Sequence, residues 1–296
     1  MTFGAVYDAH DVLVAPGRAK PQLWRLFLGL GLIASVSYLL NTAVFVLLMR
    51  FTSVPWQQNL VQGETPAAML VLLLTFVFLT LGAGLAARVL QGRSFLSLIG
   101  ALGPLLRQFR AVSLALLSTY GIILILPPYD FGAPLVPNLG FWPWLGLLPL
   151  SLVAVLVQVS AEEVVFRGYL QQALAARFKS PVIWLMAPAA LFGLAHYMPA
   201  EAGDNAWLLC LWAMGFGLLT ADLTARSGTL GPAIAVHFIN NIVALLIFAS
   251  PSSLSGLALY LLPYEMSDVA QLRPWLLVDC AMMLISWLVA RLAIRR

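Results

Sequence analysis

Eight apolar stretches follow one another along this chain, at about 24–49, 66–87, 111–127, 150–177, 181–198, 206–225, 229–249 and 272–292. About 20 apolar residues of helix cross a bilayer, and these stretches reach or approach that length. Inside hydrocarbon every backbone polar group must be hydrogen-bonded within the segment, so each stretch reads as a helix. The chain is therefore expected to be an all-α, polytopic membrane bundle. Composition agrees: a soluble protein carries about a quarter charged residues, whereas this one has 9% charged and 61% hydrophobic residues with a mean hydropathy of +0.93.

Residues 1–23 are mixed polar and read as a tail on the cytosolic side. The first apolar run, 24–49, is too long for the core of a secretory signal peptide and lacks a cleavage-like end. Cys210 and Cys280 both sit in apolar stretches, which speaks against a disulfide framework or a thiolate metal site. The net charge of +4 follows membrane topology and does not point to nucleic acid. Pro143 and Pro149 interrupt the aromatic stretch 141–149, which reads as an interfacial lead-in to the fourth helix.

Basic residues set the orientation. With the N-terminus inside, Arg18, Lys20, Arg25, Arg88, Arg93, Arg107, Arg110, Arg177, Lys179, Arg226, Arg291, Arg295 and Arg296 face the cytosol. Only Arg50 and Arg273 fall outside, together with Glu64, Asp130, Glu201, Asp204, Glu265 and Asp268. The positive-inside rule then places both termini in the cytosol, and an even number of helices keeps the alternation. No internal repeat or linker is visible, so residues 1–296 read as a single membrane domain.

Three polar clusters interrupt this apolar background: Glu162-Glu163 with Arg167, Phe192 with His196, and His237 with Asn241. An ionisable group at the centre of a membrane helix costs about 2.5–3.5 kcal/mol on insertion scales and marks a functional site by default. Glu162 and His196 each lie 17 residues from Lys179, in the turn Phe178–Ser180 between the fourth and fifth helices. At about 1.5 Å per residue both sit about 25 Å of helix from that turn, at one depth on facing helices. Glu163 and Arg167, spaced i and i+4 with the acid first, are expected to neutralise each other, leaving Glu162 for chemistry. His237 and Asn241 share one helix face and could donate hydrogen bonds to a developing oxyanion.

Each residue alone has a plainer reading. A single membrane histidine is usually a packed one, a Glu pair is as readily structural, and an Asn usually bridges helices. Asp222 with Arg226, and Asp279, read as structural pairing or packing, and His10 in the tail carries no signal. The conjunction of carboxylate, two imidazoles and an amide is what points to a hydrolase.

In order and spacing, Glu162-Glu163-Val164-Val165-Phe166-Arg167, Phe192-Gly193-Leu194-Ala195-His196 and His237-Phe238-Ile239-Asn240-Asn241 resemble three family motifs. They are those of the CAAX protease and bacteriocin-processing (CPBP, or Abi) family, related to type II CAAX prenyl endopeptidase: Glu-Glu-x-x-x-Arg, Phe-x-x-x-His and His-x-x-x-Asn/Asp. The resemblance covers about 142–250. It implies an intramembrane endopeptidase with a cavity open toward the cytosol. Glu162 would be the general base, acting with His196 on a water, and His237 and Asn241 would stabilise the oxyanion. Glu163, Arg167 and Phe192 would support them.

No cofactor is favoured. Zinc is the alternative, with Glu162, His196 and His237 as ligands, although the His-Glu-x-x-His spacing is absent and the three would come from separate helices. The expected partners are a membrane protein or lipidated peptide as substrate, the lipid bilayer and a larger membrane complex, with no nucleic acid. The expected location is a bacterial cytoplasmic (inner) membrane. The competing reading is a non-proteolytic scaffold, assembly or immunity factor with an unused site. A proton-coupled transporter is disfavoured, because no inverted repeat or matched pair of broken helices is present.

Overall fold

Each apolar stretch folds as a helix in the computed structural model, which describes residues 6–126 and 134–295. The helices of these stretches are α1 (Leu23–Met49), α2 (Pro66–Gln91), α3 (Leu102–Ile125), α4 (Phe141–Arg177), α5 (Pro181–Ala195), α6 (Ala206–Ser227), α7 (Gly231–Ile247) and α8 (Val269–Ile294). By length and composition six segments could cross a membrane, those containing α1–α4, α6 and α8, whereas α5 and α7 are shorter apolar helices. The chain is thus an all-α polytopic bundle. Asp130 and Arg296, used above in the charge split, lie outside the described residues.

Two boundaries differ most from the sequence reading. Helix α3 begins at Leu102, so Arg107 and Arg110 lie on it. Hydropathy finds the apolar window and not the helix, and long basic side chains can carry their charge out to the polar layer. The stretch 141–149 is not a separate lead-in but the first turns of α4. Pro143 falls in the first turn, where backbone N–H groups have no intrahelical acceptor, and Pro149 is accommodated inside the helix. The indole of Trp144 anchors this end by donating to the Leu246 carbonyl at 2.8 Å.

Close helix approach depends on small residues. A Cβ at Gly193 on α5 would come within 2.6 Å of the Cys210 carbonyl oxygen on α6. One at Gly217 on α6 would come within 3.1 Å of Ala189 Cα. Only glycine allows these backbones so close, as is common where helices pack in a bilayer. Two apolar cores result. One surrounds Val155, Val159, Tyr169 and Trp184; the other surrounds Phe192, Phe216, Val112 and Ile239. A three-stranded patch, β1 (Val136–Pro137), β2 (Phe248–Ala249) and β3 (Tyr260–Leu261), closes one end. Strand β3 lies between the others, antiparallel to β1 and parallel to β2.

The polar N-terminal segment folds onto the opposite, basic end as short turns, Asp8–His10, Asp11–Val14 and Ala15–Gly17. Leu13 and Val14 are buried, and Arg93 donates to the Leu13 carbonyl and to Gln172 on α4. His10 is buried against Trp184, with ring centroids 4.8 Å apart. Its polar neighbours in sequence hide this packing, which no periodic apolar pattern announces. Burial lowers the His10 imidazole to about 4.

Asp222 is the tie point of this end. It accepts from Tyr7 (2.8 Å), from Arg226 Nε (2.8 Å) and from the Trp287 indole (2.9 Å), joining the N-terminal segment, α6 and α8. Burial, and then the bond to Asp222, push the Tyr7 hydroxyl up to about 12.

Candidate active site

Helix α4 supplies four polar side chains within three turns: Gln158, Glu162, Glu163 and Arg167. The helix is α-helical to Glu163 and π-helical over Val164–Gln171. A π segment rotates the residues that follow relative to those before, and such segments recur at functional sites. Here it begins immediately after the paired acids. A second π segment, Val243–Ile247, follows His237 and Asn241 on α7.

Glu163 and Arg167 are both completely buried and pair at 3.1 Å, as their spacing predicts. The arginine also donates to the Gly217 carbonyl at 3.1 Å, and its guanidinium lies 4.6 Å from the centroid of the Phe192 ring. Glu163 has a further partner that the sequence reading did not give it: His237 Nδ1, at 2.8 Å from Oε1. A carboxylate accepts only, so Nδ1 carries the proton and Nε2 points away from Glu163. Nε2 then faces Glu162 Oε2 at 3.6 Å, beyond direct hydrogen-bond distance.

Glu162 is buried, and its two oxygens differ. Oε1 accepts from the Gln158 amide at 2.6 Å. Oε2 has no hydrogen-bond partner. Gln158 in turn accepts from Asn241 Nδ2 at 2.8 Å, and Asn241 Oδ1 accepts from Asn240 at 3.3 Å. The adjacent acids thus lead into separate networks, Glu163 to Arg167 and His237, Glu162 to Gln158 and Asn241. Gln158 was not singled out from the sequence. The signal available was a polar side chain one turn before Glu162 on an apolar helix.

His196 follows the last residue of α5 and is half-buried. Its Nδ1 donates to the Phe192 carbonyl at 2.8 Å, so Nε2 is left as an acceptor. Among the described residues no hydrogen bond or ion pair joins His196 to Glu162. The two imidazoles are linked through Phe192, whose ring centroid is 4.5 Å from that of His196 and 6.0 Å from that of His237. Phe216 on α6 packs beside Phe192 against the same imidazole, 5.1 Å from His237 and 6.3 Å from Phe192 between ring centroids. Aromatic walls of this kind lower the local dielectric and strengthen the electrostatics inside.

A three-ligand metal site needs its donors convergent at about 2 Å from one point. Among the described residues no three His, Cys, Asp or Glu side chains are so grouped. Glu162, His196 and His237 as placed do not form a ligand set.

Comparison with known proteins agrees with the motif reading. Residues 143–243 match the model of a family described as Rce1-like, type II CAAX prenyl endopeptidase. The match holds the paired acids, both histidines and Asn241, so the resemblance is to that family over its motif-bearing helices. The chain is also 22% identical over 254 residues to the uncharacterized protein YyaK of Bacillus subtilis (strain 168). That alignment covers 82% of this chain and 84% of YyaK. No solved structure matches. The apolar helices and this likeness make the chain an integral, multi-pass membrane protein that is CAAX protease-like over residues 143–243.

Proposed function

We propose that the protein is an intramembrane endopeptidase that cleaves a membrane-associated protein or lipidated peptide in the cytoplasmic membrane of a bacterial cell. The observation that carries this reading is the pairing of an unpartnered carboxylate oxygen, Glu162 Oε2, with His237 Nε2 at 3.6 Å in a buried, aromatic-walled site. An oxygen placed beside the pair, off the line that joins them, could reach both groups at hydrogen-bond distance. The buried cluster contains Glu162, Glu163, Arg167 and His237, and it is electrically neutral when His237 carries a second proton. Buried charges are tolerated in such compensated sets.

In this reading Glu162 Oε2 takes a proton from a water, and the water oxygen bonds to the scissile carbonyl carbon. The carbonyl π electrons move to oxygen, giving an oxyanion that accepts from His237 Nε2–H. An amide nitrogen has two N–H bonds, so Asn241 can keep Gln158 and still present the second N–H to the oxyanion. Collapse of the intermediate breaks the C–N bond, and the proton on Glu162 passes to the departing amine. His196, half-buried and with Nδ1 fixed on Phe192, offers Nε2 as a proton acceptor. Every step uses side chains and water alone.

The test is a comparison of membrane-protein termini between cells carrying wild-type protein and Glu162→Gln. A protein that accumulates uncleaved only in the variant identifies the substrate. Identical terminus profiles, with a phenotype that survives the substitution, would instead favour a scaffold or immunity role.

A further inference from the structure

Gln158 stands outside the three motifs, yet it is the hydrogen-bond partner of Glu162 and lies 2.6 Å from Oε1. We infer that Gln158 is a positioning residue: it occupies one oxygen of Glu162 and couples that carboxylate to Asn241, leaving Oε2 as the reacting oxygen. The inference deepens the proposed endopeptidase reading and rests on Glu162 being its base.

The direction of the bonds follows from donor and acceptor counts. Glu162 as a carboxylate offers no donor, so Gln158 must present its amide nitrogen to it. The Gln158 carbonyl then points the other way, where it meets Asn241 Nδ2 at 2.8 Å. Asn241 in turn is held by Asn240 at 3.3 Å through its own carbonyl oxygen. The relay Asn240, Asn241, Gln158, Glu162 thus runs donor to acceptor in one sense from α7 to α4. A reversed Gln158 amide would set its carbonyl against the Glu162 oxygen and its N–H₂ against Asn241 Nδ2, so both contacts would be lost.

Location supports the role. Gln158 precedes Glu162 by one helical turn on the same face, and it is buried, so water does not compete for its amide. A carboxylate held on one oxygen by a fixed donor has its side-chain torsions restrained, and such second contacts keep a reacting group in productive geometry. Asn241 acquires two tasks here. Its loss would release Gln158, and through it Glu162, besides removing an oxyanion donor.

The experiment uses the full-length protein reconstituted in lipid and reads the carboxyl infrared bands by isotope-edited difference spectroscopy. The Glu162 band is the one lost in Glu162→Gln. Gln158→Met, which keeps volume and removes both hydrogen bonds, is expected to move that band while thermal unfolding stays within a few degrees of wild type. Asn241→Ala is expected to move it in the same direction, and the Gln158→Met/Asn241→Ala double variant no further than Gln158→Met alone. A Glu162 band unmoved by Gln158→Met, or shifts that add in the double variant, would overturn the positioning role. Gln158→Leu serves as a second apolar variant if Gln158→Met does not fold. These readouts need no substrate, so they are distinct from cleavage by Glu162→Gln, which tests the endopeptidase reading itself.

Discussion

Glu163 Oε1 and His237 Nδ1 lie 2.8 Å apart, joining two motifs 74 residues distant in sequence. The same carboxyl oxygen also receives Arg167, so one buried acid fixes both the guanidinium on its own helix and the imidazole on α7. Glu163 is therefore the structural hinge of the site, and Glu162 beside it is left to face His237 from the other nitrogen.

Removing Glu163 should accordingly be felt in stability. Glu163→Ala strands a fully buried guanidinium and frees His237, and breaking one partner of such a pair costs about 3–5 kcal/mol. Thermal unfolding in detergent is expected to show a lower midpoint together with lower cleavage, and Arg167→Ala is expected to behave alike. A Glu163→Ala protein as stable as wild type but inactive would move Glu163 among the residues that touch substrate.

Much of this was legible in the sequence. The eight apolar runs mark the helices because burial in lipid imposes one pattern, and the i, i+4 spacing of Glu163 and Arg167 gives their ion pair directly. The link from Glu163 to His237 was not legible. It depends on how α7 packs against α4 and on the π turn after Glu163, and neither leaves a mark in local composition. Gln158 was missed for a related reason: an isolated amide on an apolar helix acquires meaning only through its neighbours in space. The buried His10 was hidden by the polar residues around it.

The N-terminal segment should come loose in acid. His10 is lowered from 6.5 to about 4 by burial, so the unfolded segment takes up its proton first. Docking stability is then fully present above pH 6.5 and is lost as pH falls toward 4, by roughly 3 kcal/mol over the whole range. Hydrogen exchange of residues 8–17, corrected for intrinsic rate, should show protection falling across that window. His10→Phe should hold it constant, and a wild-type segment equally protected at both ends would contradict the assignment.

Topology follows from the placement of basic residues. Reporter fusions after Ile294 and cysteine labelling near Asp204 are expected to place the C-terminus in the cytosol and the Asp204 loop outside. An external C-terminus, or an Asp204 loop labelled only from inside, would refute the orientation.

Metal content tests the reaction proposed above, which uses side chains and water. Elemental analysis of the purified protein is expected to find no stoichiometric zinc, with chelators leaving cleavage unchanged. One zinc per chain, lost in His237→Ala, would make Glu162 and His237 ligands and replace the reaction proposed above.

Cleavage by Glu162→Gln is the most direct measurement. The variant keeps the size of the side chain and a hydrogen-bond acceptor for Gln158, but it cannot take a proton from water. With a substrate found by the terminus comparison and purified protein in lipid, its cleavage rate should fall by about 10²–10⁴-fold with substrate binding little altered. A rate within about twofold of wild type, far from the loss expected for a general base, would contradict the assignment of Glu162 and the account built on it.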